Sequence, residues 1–420
     1  MHLKFTPKNI YLVGGSVRDY ILQKSINDYD FVIKCAENKF QKEAQLFFKK
    51  NFNKKGFLIG KQFPPTLRTV INKKDYIDIT LMCGTIEEDA LRRDFTINAL
   101  YMRLDNNEII DPLHGKKDLE KKLIKLCSNK SFDNDPIRML RAIRLAGQLC
   151  FKLHKKCFIE IVSKKSLIKK AAVERVRDEI EKIFINPKRY ILIKWLEKTG
   201  LIFEIFPELL KIKGLAQKKF HKFDVLNHSF NILQYIPEDL NNFDKIIYCY
   251  AALFHDLGKS ETNYMHTEFS AEIADNIFKR LKLPHRLHKI LIELIKNHMK
   301  ILQISLNNIK DKTLKKIVFE HSEIIPYMVN FARFEAKTKN IVQPEYYIVC
   351  EKLINFHREF ENRKEFIFNV ITGKDIIAQG VKQGEIIGKL LKNVRFHIFR
   401  DNITTKDEAF KILKMLKKQL

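Results

Sequence analysis

The chain has 420 residues, of which 45% are hydrophobic and 30% charged, so about two to four domains with real cores are expected. Its longest dense apolar stretch, Ile246–Phe254, is about half a membrane span, and its seven cysteines contain no C-x-x-C pair. These features exclude a membrane protein, a disulfide scaffold and a zinc ribbon. With no apolar signal core at the N-terminus, they predict a cytoplasmic protein with reduced thiols.

The net charge of +27 favours a polyanionic partner, most often nucleic acid. The other explanation is coding bias, because lysine, isoleucine, asparagine and phenylalanine are enriched together. Charge alone leaves both explanations open.

The first third of the chain predicts a mixed α/β domain, with helical patterns at Val17–Leu22 and Glu37–Phe48. Its β-rich runs are Ile10–Val13, Phe31–Ile33, Thr66–Ile71, Tyr76–Thr80 and Ala99–Leu104. From about Pro136 onward, apolar residues recur at helical spacing in Met139–Leu149, Val173–Phe184, Ile191–Leu196, Leu226–Ile236, Ile246–Phe254 and Ile290–His298. Domain boundaries are expected near Asn129–Asn134 and Pro207–Lys219.

A glycine turn follows the first predicted strand. Gly14 and Gly15 separate that strand from a helix that begins with Ser16 and includes Arg18. Glycines let backbone N–H groups approach an anion, and the start of the helix adds partial positive charge. The segment predicts a phosphate cradle, although a glycine pair alone is more often a simple turn.

Two carboxylates follow at Asp28 and Asp30. Residues i and i+2 of a strand face the same way, so these charges would lie side by side and would need a cation to neutralise them. Mg²⁺ suits carboxylates combined with substrate phosphates, and nucleotidyl transfer uses such a pair to hold its metals. Taken alone, the pair could equally be a turn residue followed by a surface strand residue.

At these residues the chain resembles the polymerase-beta-like nucleotidyltransferases. More narrowly, it resembles the class II (bacterial-type) tRNA nucleotidyltransferases and poly(A) polymerases, over roughly residues 10–210. The resemblance implies that Asp28 and Asp30 bind Mg²⁺, and that Gly14, Gly15, Ser16 and Arg18 contact the triphosphate.

A second block of the resemblance follows at Glu87–Leu100. Guanidinium groups grip phosphate oxygens and a carboxylate accepts from ribose hydroxyls, and the family uses this block to hold the nucleotide. The residues carried over as nucleotide contacts are Arg92, Arg93, Asp94 and Asn98. Asp78, on an otherwise apolar strand, fits the third catalytic carboxylate of the superfamily, and an ordinary outward-facing aspartate is as good an explanation.

A third block predicts base selection by protein side chains. The family pattern Glu-Asp-x-x-Arg corresponds here to Asn134–Arg138, with Asp135 expected at a helix N-cap and Pro136 at its first position. The resemblance implies that Asp135 accepts from the exocyclic amine of C or A, while Arg138 donates to the ring nitrogen. U and G present the opposite polarity. Arg141 and Arg144 continue the same face of that helix.

The family's Glu-Arg-x-x-x-Glu block corresponds to Glu174–Glu179. On a helix, Glu174 and Arg175 are expected to buttress the base-reading arginines from behind.

One departure from the family bears on the product. Between the strand ending near Thr80 and the acidic Glu87, only Leu81–Ile86 intervenes, whereas enzymes that add complete CCA have a longer, flexible element there. The short form resembles the subtype that adds only CC and leaves the terminal A to a separate enzyme. Gly84–Asp89 also resembles the poly(A) polymerase version, so CC, CCA and poly(A) remain open as products.

The region after the neck, residues 213–370, resembles an HD phosphohydrolase domain. Histidines and a His-Asp pair at helix ends suit a divalent metal that activates water. The candidate ligands are His228, His255, Asp256, His266 and His298. Such sites normally end with a further Asp, but Ile325–Lys337 offers Arg333 and Glu335 instead. A metal site and a purely structural domain that holds RNA are both open.

The sequence therefore predicts an α+β protein, in which a polymerase-beta-like head with a small mixed sheet precedes all-α neck, body and HD-like domains. The expected divisions are head 1–130, base-selecting neck 131–212, HD-like domain 213–370 and helical tail 371–420. The predicted activity is template-independent, Mg²⁺-dependent addition of C from CTP, with ATP for any A, to the 3′ end of the tRNA acceptor stem. The alternatives are a poly(A) polymerase and, with an inert head, an HD-type phosphohydrolase.

Overall fold

The computed structural model describes residues 3–26, 28–60, 63–72, 75–216, 224–262, 264–305, 310–339 and 344–418. Part of the boundary expected at Pro207–Lys219 lies outside these residues. The chain divides into two compact units, Met1–Pro207 and Glu208–Leu420, called here the N-terminal and C-terminal units. No helix among the described residues is both long enough and apolar enough to cross a membrane.

The N-terminal unit is built around a mixed sheet. Its strands are β1 (Ile10–Val13), β2 (Tyr29–Ile33), β3 (Phe57–Ile59), β4 (Thr66–Val70), β5 (Tyr76–Leu81), β6 (Tyr101–Arg103), β7 (Ile109–Ile110), β8 (Leu123–Ile124) and β9 (Lys152–Leu153). Among the described residues, the first seven form one sheet in the order β3-β4-β5-β2-β1-β6-β7. Only the β2–β5 pair in that sheet is parallel. The small mixed sheet is thus the one predicted.

The register of the central strands decides which side chains share a face. Asp30 pairs with Val13 on β1 and with Asp78 on β5, so these three side chains point to the same side of the sheet. Phe31 points to the other side, where its ring lies 5.2 Å from that of Phe47. The acidic residues therefore lie on the face opposite the helix that carries Phe47.

The helices of the N-terminal unit cover this sheet and continue beyond it. They are α1 (Gly15–Ile21), α2 (Glu37–Phe52), α3 (Ile86–Arg92), α4 (Gly115–Glu120), α5 (Ser131–Asn134), α6 (Arg138–Leu149), α7 (Lys155–Lys164), α8 (Val173–Phe184), α9 (Arg189–Thr199) and α10 (Leu201–Ile205), with 3-10 turns at Thr96–Asn98 and Lys165–Lys170. Met139, Leu140 and Ile143 of α6 are fully buried. A Cβ on Gly147 would lie 2.6 Å from Leu192 of α9, so glycine permits the close approach of these two helices.

The predicted start of α6 was wrong by two residues. Asp135 has extended backbone angles and ends α5, while α6 begins at Arg138. The difference arises because Asp135 and Pro136 accept bonds from the N–H groups of Arg138 and Met139, which close three-residue turns before regular α-helix begins. Asp135 still accepts from the Ile137 N–H through Oδ1, at 3.4 Å.

The described part of the C-terminal unit consists of helices without strands. They are α11 (Val225–Ile232), α12 (Asn242–Phe254), α13 (His266–Arg280), α14 (His285–Asn297), α15 (Lys300–Ser305), α16 (Asp311–His321), α17 (Ile325–Lys339), α18 (Pro344–Asn369), α19 (Gly373–Ala378), α20 (Glu385–Arg400) and α21 (Lys406–Lys417), with 3-10 turns at Pro207–Ile212, Leu233–Tyr235 and Leu257–Ser260. Residues 247–254 of α12 are all buried, so this helix forms the centre of the unit. The predicted helical periodicity is confirmed here and in α6, α8, α9, α11 and α14.

Candidate functional site

The glycine turn lies beside the acidic strand. Gly14 has φ 72° and ψ −139°, a conformation that favours glycine, and a Cβ there would lie 3.5 Å from Asp30 Oδ2. Ser16 Oγ donates to the Asp28 carbonyl at 2.7 Å and accepts from the Asp30 N–H at 3.3 Å. Ser16 thereby fixes the start of α1 to the start of β2 and holds the turn against the carboxylates.

The three candidate carboxylates have different surroundings. Asp28 is exposed and lies just before β2, whereas Asp30 is half-buried within it. Asp78 accepts two hydrogen bonds from Arg68, both of 2.8 Å. Burial, followed by the charges of Asp78 and Asp28, raises the pKa of Asp30 to about 6, in spite of the opposing charge of Arg93. The neighbouring positive charge thus does not balance the negative charge at Asp30, and such a cluster of carboxylates suits a divalent cation.

The paired arginines at the end of α3 share one buried carboxylate. Arg92 and Arg93 both donate to Asp89, which also accepts from the Tyr101 hydroxyl. Neither Asp89 nor Tyr101 was predicted from the sequence. The available signal was spacing, because Asp89 lies three and four residues before the arginines on one helix face.

A series of hydrogen bonds joins α1 to α6. Arg141 donates to Asp94 from Nε at 3.1 Å and from Nη2 at 2.8 Å, and Asn98 donates to the other carboxylate oxygen at 3.0 Å. Asn98 in turn accepts from Arg18, which also forks onto Asp19. Burial alone would raise the pKa of Asp94, but Arg141 and Asn98 hold it below its usual value. These hydrogen bonds fix the side chains of four predicted residues relative to one another, namely Arg18, Asp94, Asn98 and Arg141.

The predicted base-selecting pair is held by protein partners. Asp135 accepts from Arg175 at 3.2 and 2.8 Å. Arg138 donates to the carbonyls of Arg92 at 2.7 Å and Arg93 at 3.1 Å. Arg175 was expected to buttress the arginines, and the structure differs, because Arg175 pairs with the aspartate.

Glu179 supports the arginine side of this arrangement. It accepts from Arg144 Nε at 2.5 Å and is almost fully buried. Glu174, the other expected buttress, lies in the first turn of α8. Glu179 therefore buttresses Arg144.

These elements surround a cavity of about 510 Å³ in the N-terminal unit. Of the predicted residues it is lined by Gly15, Ser16, Arg18, Asp28, Asp30, Asn98, Arg141 and Arg144. Lys24, Ser25 and Gln148 also line it and were not singled out from the sequence. Asp78, Arg92, Arg93, Asp94, Asp135 and Arg138 are not among the residues that line it. One concave surface thus combines the glycine turn, the carboxylate pair and the arginine face of α6.

A second cluster lies in the C-terminal unit, where the predicted HD residues meet. Asp256 Oδ2 lies 3.2 Å from His255 Nε2, and its Oδ1 lies 3.6 Å from His266 Nε2 and 3.7 Å from His298 Nε2. The ring centroids of His228 and His255 are 5.6 Å apart. All five predicted residues are buried.

The polar atoms at the centre of this cluster suit a metal ion. The Nε2 atoms of His255 and His298 and Oδ1 of Asp256 are buried without a hydrogen-bond partner. The other ring nitrogen of each histidine contacts a backbone carbonyl, of Ala252 at 3.1 Å and of Ile295 at 2.7 Å. Such contacts favour Nδ1–H and direct the Nε2 lone pair inward, as second-sphere carbonyls do in metal sites.

Glu335 also belongs to this cluster, although it was not predicted as a ligand from the sequence. Glu335 is buried on α17, with Oε1 3.8 Å from His228 Nε2, and His228, His255 and Glu335 offer ligand atoms within 4.8 Å of one another. It was missed because an aspartate was expected in that stretch. A glutamate, with one more methylene, also brings its carboxylate to the histidines.

Three family models match successive parts of the chain. Residues 10–125 match a Poly A polymerase head domain, residues 150–213 a Probable RNA and SrmB-binding site of polymerase A, and residues 225–340 an HD domain.

Curated relatives are similar over nearly the whole chain. An A-adding tRNA nucleotidyltransferase of Deinococcus radiodurans is 26% identical over 92% of this chain and 90% of its own length. A CC-adding tRNA nucleotidyltransferase of Thermus thermophilus is 26% identical over 96% of this chain and 93% of its own. A solved complex of a CCA-adding enzyme with CTP has a TM-score of 0.67 at 20% identity, covering 98% of this chain and 91% of that one. That likeness indicates a shared fold.

Proposed function

The chain belongs to the class II (bacterial-type) tRNA nucleotidyltransferase and poly(A) polymerase family, with a C-terminal HD-like domain, and from that premise we propose that it adds C residues from CTP to the 3′ end of tRNA. The observation that carries the proposal is the cavity of the N-terminal unit, in which Asp28, Asp30 and the glycine turn face the arginines of α6. The enzyme works without a nucleic-acid template, because the base is read by protein side chains.

Asp28 and Asp30 would hold the divalent metal that this family requires, which we propose is Mg²⁺. The raised pKa of Asp30 supports the fit, because a carboxylate short of compensating positive charge favours a bound cation. When bound, Mg²⁺ activates the attacking 3′ hydroxyl and neutralises the leaving pyrophosphate. Asp78 completes the proposed catalytic set from the neighbouring strand, with its orientation fixed by Arg68.

The chain's own donors would hold the triphosphate and sugar. Gly14 leaves the space next to Asp30 open, and Arg93 Nη1 lies 3.9 Å from where a Cβ at Gly14 would be. We propose that the backbone of Gly14 and Gly15, with Ser16, Arg18 and Arg93, binds the phosphates. We propose that Arg92, Asp94 and Asn98 contact the nucleoside part of the nucleotide.

Base choice is proposed to rest on Asp135 and Arg138. C and A present an amine beside a ring acceptor, which an aspartate and an arginine match, whereas U and G present a carbonyl beside a ring N–H. Hydrogen bonds from Arg175 to Asp135, and from Arg138 to the carbonyls of Arg92 and Arg93, support this assignment because they fix both side chains. Arg141 and Arg144 continue this surface into the cavity.

The product we propose is CC. β5 ends at Leu81 and α3 begins at Ile86, where Thr85 and Glu88 form a reciprocal capping box. This short, capped connection leaves no long flexible segment at the place where CCA-adding relatives are expected to have one. A separate A-adding enzyme would then complete the 3′ end, and we place both in the cytoplasm, where a reducing environment suits the seven free thiols.

Primer extension on a tRNA that lacks its 3′ CCA tests this proposal. Labelled CTP, labelled ATP and both together would be offered with Mg²⁺, with the Asp28→Ala/Asp30→Ala variant as control. Two C residues and no A, lost in the variant, are expected. A completed CCA would contradict the loop argument, and no incorporation would contradict the proposed function.

A poly(A) polymerase is the second candidate within the same chemistry. The segment Gly84–Asp89 favours it, because that segment resembles the poly(A) polymerase version. The same assay separates the two, since a poly(A) polymerase would add a long A tail from ATP alone.

The buried histidine cluster supports a second activity, metal-dependent phosphoester hydrolysis. The inward-facing nitrogens of His255 and His298, with Asp256 and Glu335, would hold a divalent ion, which when bound lowers the pKa of a water molecule. Hydrolysis of bis-p-nitrophenyl phosphate by the full chain with Mn²⁺ or Ni²⁺ is expected, and His255→Ala should abolish it. Equal hydrolysis by wild type and variant would contradict the assignment.

A further inference from the structure

We propose that Asp89 is a positioning residue that directs Arg93 toward the phosphates of the incoming nucleotide. The inference rests on the proposed function, because it assumes that Arg93 meets a triphosphate at the glycine turn. Asp89 itself is fully buried and contacts neither the cavity nor a reacting group.

The Asp89 carboxylate is saturated with donors. Oδ1 accepts from Arg92 Nε at 2.6 Å and from the Cys83 N–H at 3.3 Å. Oδ2 accepts from Arg93 Nε at 3.1 Å and Nη2 at 3.0 Å, and from the Tyr101 hydroxyl at 2.6 Å. Burial alone would raise the pKa of this carboxyl, but the two arginines hold it below its usual value, so it stays ionised.

Two secondary-structure elements converge on this carboxylate. Arg92 and Arg93 follow it at i+3 and i+4 on α3, which brings both guanidinium groups to the same helix face. Tyr101 reaches it from β6 and also accepts from Arg93 Nε at 2.9 Å. The ring centroid of Tyr101 lies 5.1 Å from the guanidinium carbon of Arg93.

This arrangement leaves one side of Arg93 for the substrate. The Nε and Nη2 side is bound to Asp89, while Nη1 lies 3.9 Å from the Cβ position at Gly14, next to Asp30. The side chain is only 16% exposed, so its direction is set by these contacts rather than by solvent. Without the carboxylate, two adjacent guanidinium groups would repel each other and the direction of Nη1 would be lost.

A structural role and a positioning role predict different results for Asp89→Asn. The amide has the same shape but lacks the charge, and it turns one acceptor into a donor that faces arginine. A positioning role predicts that KM for CTP and Kd for inorganic tripolyphosphate rise about tenfold, the loss expected for a charge-assisted pair. KM for tRNA should stay within about twofold.

Asp118→Asn is the matched control. Asp118 is another buried carboxylate of the same unit, only 7% exposed, and it accepts from Thr96 Oγ1 at 2.7 Å rather than from the paired arginines. This control is expected to lower the melting temperature while leaving the binding of CTP unchanged. If Asp89→Asn behaves in the same way, with unchanged tripolyphosphate binding, the positioning role is refuted.

Tyr101→Phe keeps the inference testable if Asp89→Asn does not fold. It removes one hydrogen bond to Asp89 and keeps the ring, so a smaller rise of about threefold in Kd for tripolyphosphate is expected. An unchanged Kd in folded Tyr101→Phe would contradict the inference. Tripolyphosphate binding needs no turnover, so it tests Asp89 even if wild-type enzyme fails to extend tRNA, which would refute the proposed function alone.

Discussion

The nucleotide-binding region of the N-terminal unit and the histidine cluster of the C-terminal unit differ in how they compensate buried polar groups. In the N-terminal unit, two buried carboxylates have arginine partners, because Asp89 pairs with Arg92 and Arg93, and Asp94 pairs with Arg141. In the cluster, Asp256 Oδ2 pairs with Lys259 at 2.6 Å, but Asp256 Oδ1 and the Nε2 atoms of His255 and His298 have no hydrogen-bond partner among the described residues. The first surface is suited to a large anionic substrate that enters and leaves, and the second to a small cation that remains bound.

This difference indicates which of the two sites needs a bound metal for the stability of the folded protein. In the N-terminal unit, arginines already compensate Asp89 and Asp94, and the uncompensated charge lies on Asp28 and Asp30, which line the cavity. In the cluster, the inward nitrogens have no such substitute, so binding of an ion and stability of the unit should be coupled.

The largest expected effect is on nucleotide incorporation. Asp28→Ala/Asp30→Ala removes the carboxylates proposed to hold the metal and should reduce C addition by on the order of 10³-fold or more. Label incorporation into tRNA measures it, and EDTA should have the same effect on wild type. If the variant keeps more than a tenth of the wild-type activity, the assignment is contradicted. Phosphodiester hydrolysis at the histidine cluster of the same variant serves as the control and should be unchanged.

The next largest effect is on metal affinity of the cluster. In the Asp28→Ala/Asp30→Ala background, which removes the competing site, His255→Ala should weaken Mn²⁺ binding about 100-fold, and Glu335→Gln somewhat less. Isothermal titration calorimetry of the full chain measures both. Equal affinity in all three proteins would show that the cluster is structural.

The pH dependence of stability isolates Asp30. Burial, then the charges of Asp78 and Asp28, raises its pKa from 3.8 to about 6, so the folded protein is penalised when Asp30 ionises. Asp30→Asn should therefore stabilise the metal-free protein at pH 7 by about 3 kcal/mol. The gain should fade as the pH falls through about 6 and vanish near the ordinary carboxyl value.

Urea unfolding in EDTA at several pH values measures this change. Asp28→Asn is the matched variant, because it removes the same charge from an exposed position and should give a smaller gain. A gain for Asp30→Asn that is independent of pH would contradict the assigned cause.

The smallest of these effects concerns base choice. Asp135→Asn replaces one acceptor by a donor, so the preference for CTP over UTP should fall about tenfold. Competition between the two labelled nucleotides measures it. Asp133→Asn serves as control, because Asp133 lies two residues before Asp135 and pairs with Lys164 instead. This variant should leave the preference for CTP over UTP unchanged.

The sequence predicted local secondary structure better than it predicted sites formed by residues from distant elements. β1 has the predicted bounds, and α2 begins at the predicted Glu37. β3 and β7 were missed because they are short, and Phe57 and Leu58 of β3 are each 53% exposed at the sheet edge. Asp89 was missed although its spacing to the arginines was a signal, and its contact with Tyr101 of β6 is not visible in the local sequence. Glu335 was missed because its partner His228 lies on the distant α11.

A crystal structure of the full chain with CTP and Mg²⁺ tests the central claim most directly. The account predicts the triphosphate against Gly14, Gly15 and Arg93, a metal on Asp28 and Asp30, and cytosine facing Asp135 and Arg138. A nucleotide bound elsewhere in the N-terminal unit, or one whose base contacts neither Asp135 nor Arg138, would contradict it.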